Sequence, residues 1–364
     1  GYAGISGENN VAPHGDDYFH YYSIFQISQY VLNTSCAVLI PIADKPPVID
    51  PIGNFNIPKS TAFVLSGQAS DPDVEDVLTY TWEQIDNGVV SNTTFGPTNP
   101  EGANFRSLKP SISPERYFPK LASVIKGDLT QTKPTIDSTW ETVSNVERKM
   151  NFAFTVRDNA NGGGQVSSEL VEVNVVNAAG PFVVTSQGAG EIYPAGSVQT
   201  VSWDVANTDK SPINAQTVDI LMSTDGGVTF PISLASNVPN TGTYQMVVPG
   251  TATTLGRLMV KAHNNVFLAV NSAKFTVSPS KIVLDFSDLS PDVCQPNDLI
   301  VLFNYETYLG FSEVSTFSIT GLPVGMSATF SPTTATVTDT PITLTLSGTG
   351  SVPVGSYPII VKAT

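Results

Sequence analysis

The 364-residue chain carries 17 basic against 32 acidic side chains, a formal net charge of −15. Phosphate backbones and anionic membrane surfaces repel such a chain, which excludes charge-driven binding to nucleic acid or lipid. With 28 glycines, 27 prolines and only 13% charged residues, the composition favours a turn-rich, mainly β protein of two to four domains. No apolar run in the sequence is long enough to predict a transmembrane segment.

The first predicted element is a short helix within residues 1–31. Two adjacent carboxylates, Asp16 and Asp17, suit the positive N-terminal end of a helix. Apolar residues then recur at helical spacing, at Ile24, Ile27 and Val31. A single helix of this length does not fold alone in water, so its apolar face requires a partner surface.

Two phrases in this stretch carry a family resemblance: Gly-Tyr-Ala-Gly at residues 1–4 and Asp-x-Tyr-Phe-His at residues 16–20. They resemble the segment after the zinc-binding helix in secreted bacterial metzincin zinc metallopeptidases of the reprolysin-like kind. In that family a Met-Gly-Tyr-Ala-Gly turn passes beneath the metal. The resemblance implies a Met directly before Gly1 and a zinc-proximal tyrosine at Tyr2. The structural alternative is that Tyr2 packs in a turn.

The defining zinc motif of that family does not occur in the sequence. His-Glu-x-x-His-x-x-Gly-x-x-His is absent, and the three histidines, His14, His20 and His263, do not lie at ligand spacing. We expect a structural hydrogen bond from His20 and a turn position for His263. The resemblance therefore implies that zinc belongs to a catalytic domain of the parent protein and that this chain alone is inactive.

A proline-rich connector at residues 43–51 marks the first predicted domain boundary. Alternating apolar residues then predict half-buried strands within a first sandwich, residues 44–178. The phrases at residues 65–82 and 154–159 resemble immunoglobulin-like modules of the PKD and cadherin-like kind, in which a tryptophan, here Trp82, packs between two sheets. Residues 88–148 form a long insertion that is expected to have structure or a contact surface of its own.

Two further sandwiches are predicted, over residues 179–278 and 279–364. Residues 223–230 match the Asp-box pattern of sialidase propellers, but a propeller repeats it, so a hairpin turn is favoured. Residues 321–332 resemble bacterial surface Ig-like repeats. The predicted fold class is mainly β: tandem immunoglobulin-like β-sandwiches preceded by a short helical remnant of a metzincin catalytic domain, residues 1–43.

Closely spaced carboxylates in the first sandwich form a candidate metal site. Asp71, Asp73, Glu75 and Asp76 share one loop, and Asp158 ends a later strand. Carboxylates this close repel one another, and a hard cation with oxygen ligands relieves the repulsion. The pattern predicts calcium at Asp71, Asp73, Asp76 and Asp158. The competing interpretation is a solvated acidic turn, since the loop does not follow the EF-hand pattern.

Cysteine usage does not define a disulfide framework. Cys36 and Cys294 lie far apart in sequence. Either both are buried thiols, or Cys36 has its partner upstream of Gly1.

Two functions remain open from the sequence. The first is the C-terminal accessory region of a secreted bacterial zinc-dependent endopeptidase, whose modules serve stability, attachment or substrate docking. The second is a non-enzymatic adhesive or structural protein of the bacterial cell surface. The expected partners are a protein or peptide substrate, or a cell-surface polymer. The Ig-like fold by itself does not distinguish these functions.

Overall fold

The computed structural model describes residues 7–35 and 40–364. Tyr2 and Cys36 lie outside these residues, so the zinc-proximal role of Tyr2 stays a prediction. No helix among the described residues is long and apolar enough to cross a membrane.

The N-terminal part and the first sandwich contain the two α-helices found among the described residues, and the first eight strands. Their bounds are α1 (Tyr21–Leu32), β1 (Val48–Ile49), β2 (Phe55–Pro58), β3 (Ala62–Ser66), β4 (Ala69–Ser70), β5 (Thr79–Gln84), β6 (Glu115–Phe118), α2 (Leu121–Lys126), β7 (Arg148–Arg157) and β8 (Val166–Val176).

The second segment contributes nine strands: β9 (Val183–Val184), β10 (Ile192–Pro194), β11 (Val198–Asp204), β12 (Thr217–Ser223), β13 (Ile232–Pro239), β14 (Thr243–Val247), β15 (Thr253–Ala262), β16 (Phe267–Val270) and β17 (Phe275–Ser278). The third contributes seven: β18 (Ile282–Phe286), β19 (Leu299–Thr307), β20 (Ser315–Thr320), β21 (Ser327–Ser331), β22 (Thr334–Ala335), β23 (Thr340–Ser347) and β24 (Ile360–Ala363). The predicted mainly β fold class, tandem sandwiches after a short helical part, is confirmed.

One sheet of the first sandwich has the strand order β2-β8-β7-β5. Alternate residues of each strand point to the inner face of this sheet, and these residues are mostly apolar. Trp82 on β5 packs against Phe154 on β7 at 4.6 Å between ring centroids and donates its indole N–H to the carbonyl of Pro114. The predicted position of Trp82 in the core is therefore confirmed.

The long insertion belongs to the fold rather than projecting from it. Its strand β6 pairs with β3, with Phe118 opposite Phe63, and Phe105 packs edge-on against Phe118 at 5.1 Å. Helix α2 buries Val124 against Ala62 and other residues on the far side of the same sheet. The insertion thus contributes to two separate apolar clusters, which confirms that it has structure of its own.

The first and second segments share a continuous sheet. Strand β16 pairs with β3, with Phe267 opposite Phe63 and Leu268 opposite Ala62, within an eight-stranded sheet. A single apolar cluster runs from Ile57 in the first segment to Val277 in the second, and Val283 of the third segment also joins it. These two segments therefore pack together as one body rather than as beads on a string.

The third segment has its own core between the sheets β18-β19-β23-β21 and β22-β20-β24. It contacts the second segment through Tyr308, whose ring lies so close to the backbone of Gly250 that a Cβ there would sit 1.8 Å from the ring. A side chain at position 250 would require the ring of Tyr308 to move.

Candidate functional site

The acidic loop after β4 meets the proline-rich connector. Carboxylate oxygens of Asp44, Asp73 and Asp76 all lie within 4.8 Å of one another. Asp44 comes from the connector, nearly thirty residues before Asp73, so sequence spacing alone did not find it. Two hydrogen bonds hold the connector there: the amide N–H of Lys45 donates to Asp73 Oδ2 (2.8 Å), and Gln165 Nε2 donates to the carbonyl of Asp44 (2.6 Å).

Two other predicted ligands lie beside this group, not within it. Asp71 Oδ1 accepts the amide N–H of Asp73 at 2.8 Å, while its buried Oδ2 has no hydrogen-bond partner among the described residues. Asp158 is fully buried and accepts the backbone N–H groups of Ala160 (3.0 Å) and Gln165 (2.8 Å). Asp158 thus organises the turn after β7, and Glu75 is exposed to solvent.

The loop concentrates negative charge. Partial desolvation, followed by the charges of the other four aspartates, Asp44, Asp71, Asp158 and Asp73, raises the pKa of Asp76. Oxygen ligands of this kind suit a hard cation such as Ca²⁺ rather than zinc, which prefers nitrogen and sulfur. Asp71 Oδ2, which has no hydrogen-bond partner among the described residues, and the repulsion between the neighbouring carboxylates are both compatible with a bound calcium ion.

A second constellation lies on the outer face of the first sheet, where α1 begins. The carboxylate of Glu83 on β5 has only 2% of its side chain exposed. It accepts three hydrogen bonds from the segment before and at the helix start: Tyr18 Oη (3.2 Å), His20 Nδ1 (2.6 Å) and the backbone N–H of Tyr21 (2.8 Å). We call Glu83 with residues 18–21 the Glu83 clasp.

Arg157 reinforces the clasp from the neighbouring strand. Its Nη2 donates to the carbonyl of Phe19 (2.9 Å), and its Nη1 donates to Thr81 Oγ1 (3.1 Å). Burial alone raises the pKa of Glu83, but hydrogen bonds from His20 and Tyr21 outweigh it and lower the pKa below its ordinary value. The sequence analysis missed Glu83 and Arg157. The signal for Glu83 was a single charged residue within β5, whereas Arg157 is one of three charged residues on β7 and had no distinguishing pattern.

The geometry of the Glu83 clasp tests two predictions made from the sequence. The structural hydrogen bond predicted for His20 is confirmed. Asp16 and Asp17 do not cap α1, because the helix begins at Tyr21 and its N-cap residue is His20. Asp16 instead lies 3.5 Å from Lys109 in an exposed ion pair.

The remaining candidate residues have structural partners. His263 lies in a turn, as predicted, and its Nδ1 pairs with Asp219 at 2.8 Å. Asp225 accepts hydrogen bonds from Ser223 Oγ (2.7 Å) and Thr229 Oγ1 (2.7 Å), which lower its pKa and confirm the hairpin interpretation of the Asp-box phrase. Cys294 is an exposed free thiol, which contradicts the alternative in which both cysteines are buried.

The described residues do not fit a catalytic zinc. Within residues 7–35 and 40–364, the one group of three metal-ligating side chains is Asp44, Asp73 and Asp76, which contains no histidine. His14, His20 and His263 do not come together.

No protein-family model matches the chain, and no curated protein matches it. Solved structures with a similar arrangement include SGBP-B of the mixed-linkage glucan utilization locus of Bacteroides ovatus, in complex with a mixed-linkage heptasaccharide. It is 14% identical over 87% of this chain and 64% of that chain, with a TM-score of 0.17.

Two further similar structures consist of immunoglobulin or cadherin domains. The N-terminal immunoglobulin domains of Down Syndrome Cell Adhesion Molecule are 12% identical over 84% of this chain and 37% of that chain, with a TM-score of 0.18. Drosophila N-cadherin EC1-3 is 11% identical over 65% of this chain and 69% of that chain, with a TM-score of 0.21. These TM-scores are too low to support an argument about function. The chain also spans less than two thirds of the length of the first two structures.

Proposed function

We propose that this chain is the C-terminal accessory region of a secreted bacterial zinc-dependent endopeptidase. The Glu83 clasp is the observation that carries the proposal. The clasp binds the Asp-x-Tyr-Phe-His phrase to the first sandwich. This phrase resembles the segment that precedes the last helix of the catalytic domain in the family. An accessory module that must stay fixed to a catalytic domain gains from holding the domain's final helix in this way.

The exposed surface of α1 supports the same proposal. No residue of this helix is buried by the described part of the chain, although it carries Phe25 (47% exposed), Tyr30 (74%) and Leu32 (77%). An isolated apolar helix face is costly in water, so it calls for a covering surface. We assign that role to the core of the catalytic domain.

The zinc of this proposal lies outside the chain. When bound in the parent's catalytic domain, it would supply Lewis-acid activation of a water that attacks a peptide carbonyl. The residues of this chain would position the helix beneath that site, and the sandwiches would serve stability, attachment or docking of a protein or peptide substrate. Secretion or display at the bacterial surface follows from the same proposal.

Sequencing the coding DNA upstream of the Gly1 codon tests the proposal. We expect a Met codon immediately before Gly1 and a His-Glu-x-x-His-x-x-Gly-x-x-His motif further upstream. The expressed full product should cleave casein and lose this activity on chelation, whereas residues 1–364 alone should be inactive with or without added zinc.

A different upstream sequence would contradict the proposal. Further sandwich repeats upstream, without the zinc motif, would make the resemblance of residues 1–31 accidental. The chain would then be better explained as a non-enzymatic adhesive or structural protein of the cell surface.

We also propose that the acidic loop binds calcium, with Asp44, Asp73 and Asp76 as its core ligands and Asp71 and Asp158 close by. The cation would join the connector to the first sandwich, because Asp44 lies on one and Asp73 and Asp76 on the other. The neighbouring negative charges that raise the pKa of Asp76 support this assignment.

Calcium should raise the melting temperature of the purified chain, because a ligand that binds only the folded state stabilises it. At about 100 times the dissociation constant, the stabilisation is about 2.7 kcal/mol. Differential scanning calorimetry with calcium and with a chelator measures the shift. Asp73→Asn should abolish it, whereas Asp209→Asn in the second segment should leave it intact. A melting curve insensitive to calcium would contradict the site.

A further inference from the structure

A cleft of about 300 Å³ lies between α1 and the outer face of the first sheet. Tyr22 of α1 forms one wall. The opposite side is formed by Asn87 after β5, Asn151 on β7, and Leu170 and Glu172 on β8. This volume is at the lower end of the range for small-molecule sites in proteins. None of these side chains is used by the clasp or the acidic loop.

The cleft combines an aromatic face with amide groups. Tyr22 is 43% exposed and Leu170 53% exposed, so both offer apolar surface to a ligand. Asn87 is exposed, and its amide makes no side-chain hydrogen bond to any described residue. Asn151 donates its side-chain Nδ2 to Asp86 Oδ1 (2.5 Å), and this leaves its side-chain Oδ1 available as an acceptor. An amide offers both donors and an acceptor, which is what a hydroxyl group requires.

The charges around the cleft are already neutralised. Glu172 pairs with Lys149 Nζ at 2.6 Å. Asp86, deeper in the cleft, lies 3.6 Å from the buried guanidinium of Arg148 and accepts the backbone N–H of Asn151. A charged ligand would therefore find no unpaired charge of opposite sign on these residues.

We propose that this cleft binds a neutral saccharide. A sugar ring presents an apolar C–H face, which stacks on an exposed tyrosine, and hydroxyl groups at its edge, which pair with amides. Tyr22 and Leu170 would contact the ring face, and Asn87 and Asn151 the hydroxyls. The inference goes beyond the peptidase-accessory role and does not depend on it, because the chain itself would bind the sugar.

The cleft has one wall on α1 and the other on the first sheet, and the Glu83 clasp holds the two together. Glu83 Oε2 accepts the backbone N–H of Tyr21, the residue directly before Tyr22. The aromatic wall is therefore in place only while the helix start is seated on the sheet. Saccharide binding and attachment of the helix should consequently reinforce each other.

Isothermal titration calorimetry of residues 1–364 with cellohexaose, chitohexaose and maltohexaose tests the proposal, with hexagalacturonate as the charged comparison. We expect at least one neutral hexasaccharide to bind and hexagalacturonate not to bind. Tyr22→Ala should weaken the affinity by at least about tenfold, and Asn87→Ala should weaken it as well. Tyr30→Ala, which removes a more exposed tyrosine of the same helix away from the cleft, should have no effect.

Failure of all three neutral sugars to bind up to roughly 10 mM would overturn the proposal. An equal loss on Tyr22→Ala and Tyr30→Ala would also overturn it, because it would place the sugar elsewhere. Circular dichroism of each variant confirms that the sandwich is folded. The upstream gene sequence does not bear on this result, so the two proposals fail separately.

Discussion

Replacing Glu83 by alanine should detach residues 18–21, and with them α1, from the first sandwich. The carboxylate is buried and accepts three hydrogen bonds from this segment, two of them at 2.8 Å or shorter. Hydrogen bonds to a charged group contribute more than neutral ones, so we expect a loss of about 2 kcal/mol in the free energy that holds the segment. Amide exchange in the first turn of α1 should then accelerate roughly thirtyfold.

Hydrogen exchange followed by mass spectrometry measures this effect directly. Glu115→Ala is the matched control, because Glu115 is an exposed glutamate on β6 of the other sheet and makes no hydrogen bond to the helix. Exchange of α1 that is equal in the two variants would show that the clasp does not hold the segment.

The clasp should also respond to pH in a defined direction. Its folded-state pKa is lowered, so Glu83 contributes its full stabilisation above the pKa of an unfolded glutamate. That contribution is lost as the pH falls through the lower folded-state value. The protection factor of the α1 amides, which corrects exchange for its intrinsic pH dependence, should therefore fall only at acid pH in the unmodified chain, and the Glu83→Ala variant should lack this acid-dependent step.

Phe105→Ala should cost about 3–5 kcal/mol in the free energy of unfolding, although Phe105 lies in a long insertion. Its ring is 2% exposed and contacts Phe63 at 5.7 Å and Phe118 at 5.1 Å between centroids. Phe63 belongs to β3, the strand that also pairs with β16 of the second segment. The cavity left by the substitution would weaken both segments together.

Urea denaturation measures this cost, with Ile112→Ala as the control. Ile112 is in the same insertion but 80% exposed, so its loss should change the free energy of unfolding by less than about 0.5 kcal/mol. Similar midpoints for the two variants would mean that the insertion is not part of the core. Two separate transitions for Phe105→Ala would mean that the first two segments unfold independently.

The secondary-structure pattern was accessible from the sequence because it is local. The alternation around Trp82 and Phe154 has the period of a strand, and both residues pack inward in the core as predicted. The Asp-box phrase likewise formed the expected hairpin, since Ser223, Asp225 and Thr229 satisfy one another within seven residues. Asp73 and Asp76, two residues of the predicted calcium site, could be named from the sequence for the same reason, because they share one loop; calcium binding itself stays a prediction.

The tertiary structure decided what distant residues do together. Asp44 joins Asp73 and Asp76 only because the connector folds back over the loop. Glu83 accepts a hydrogen bond from His20, which lies more than sixty positions earlier in the sequence. No periodicity in the sequence shows that a single buried carboxylate will bind the start of a helix. In the sequence, the insertion interrupts the pattern of the first sandwich. In the structure, its residues Phe105 and Phe118 are part of the core. Burial of apolar rings is non-directional, so it depends on which surfaces meet in the folded chain. Composition and local pattern thus determined the class of fold, whereas the sites depend on contacts between residues that only the folded chain brings together.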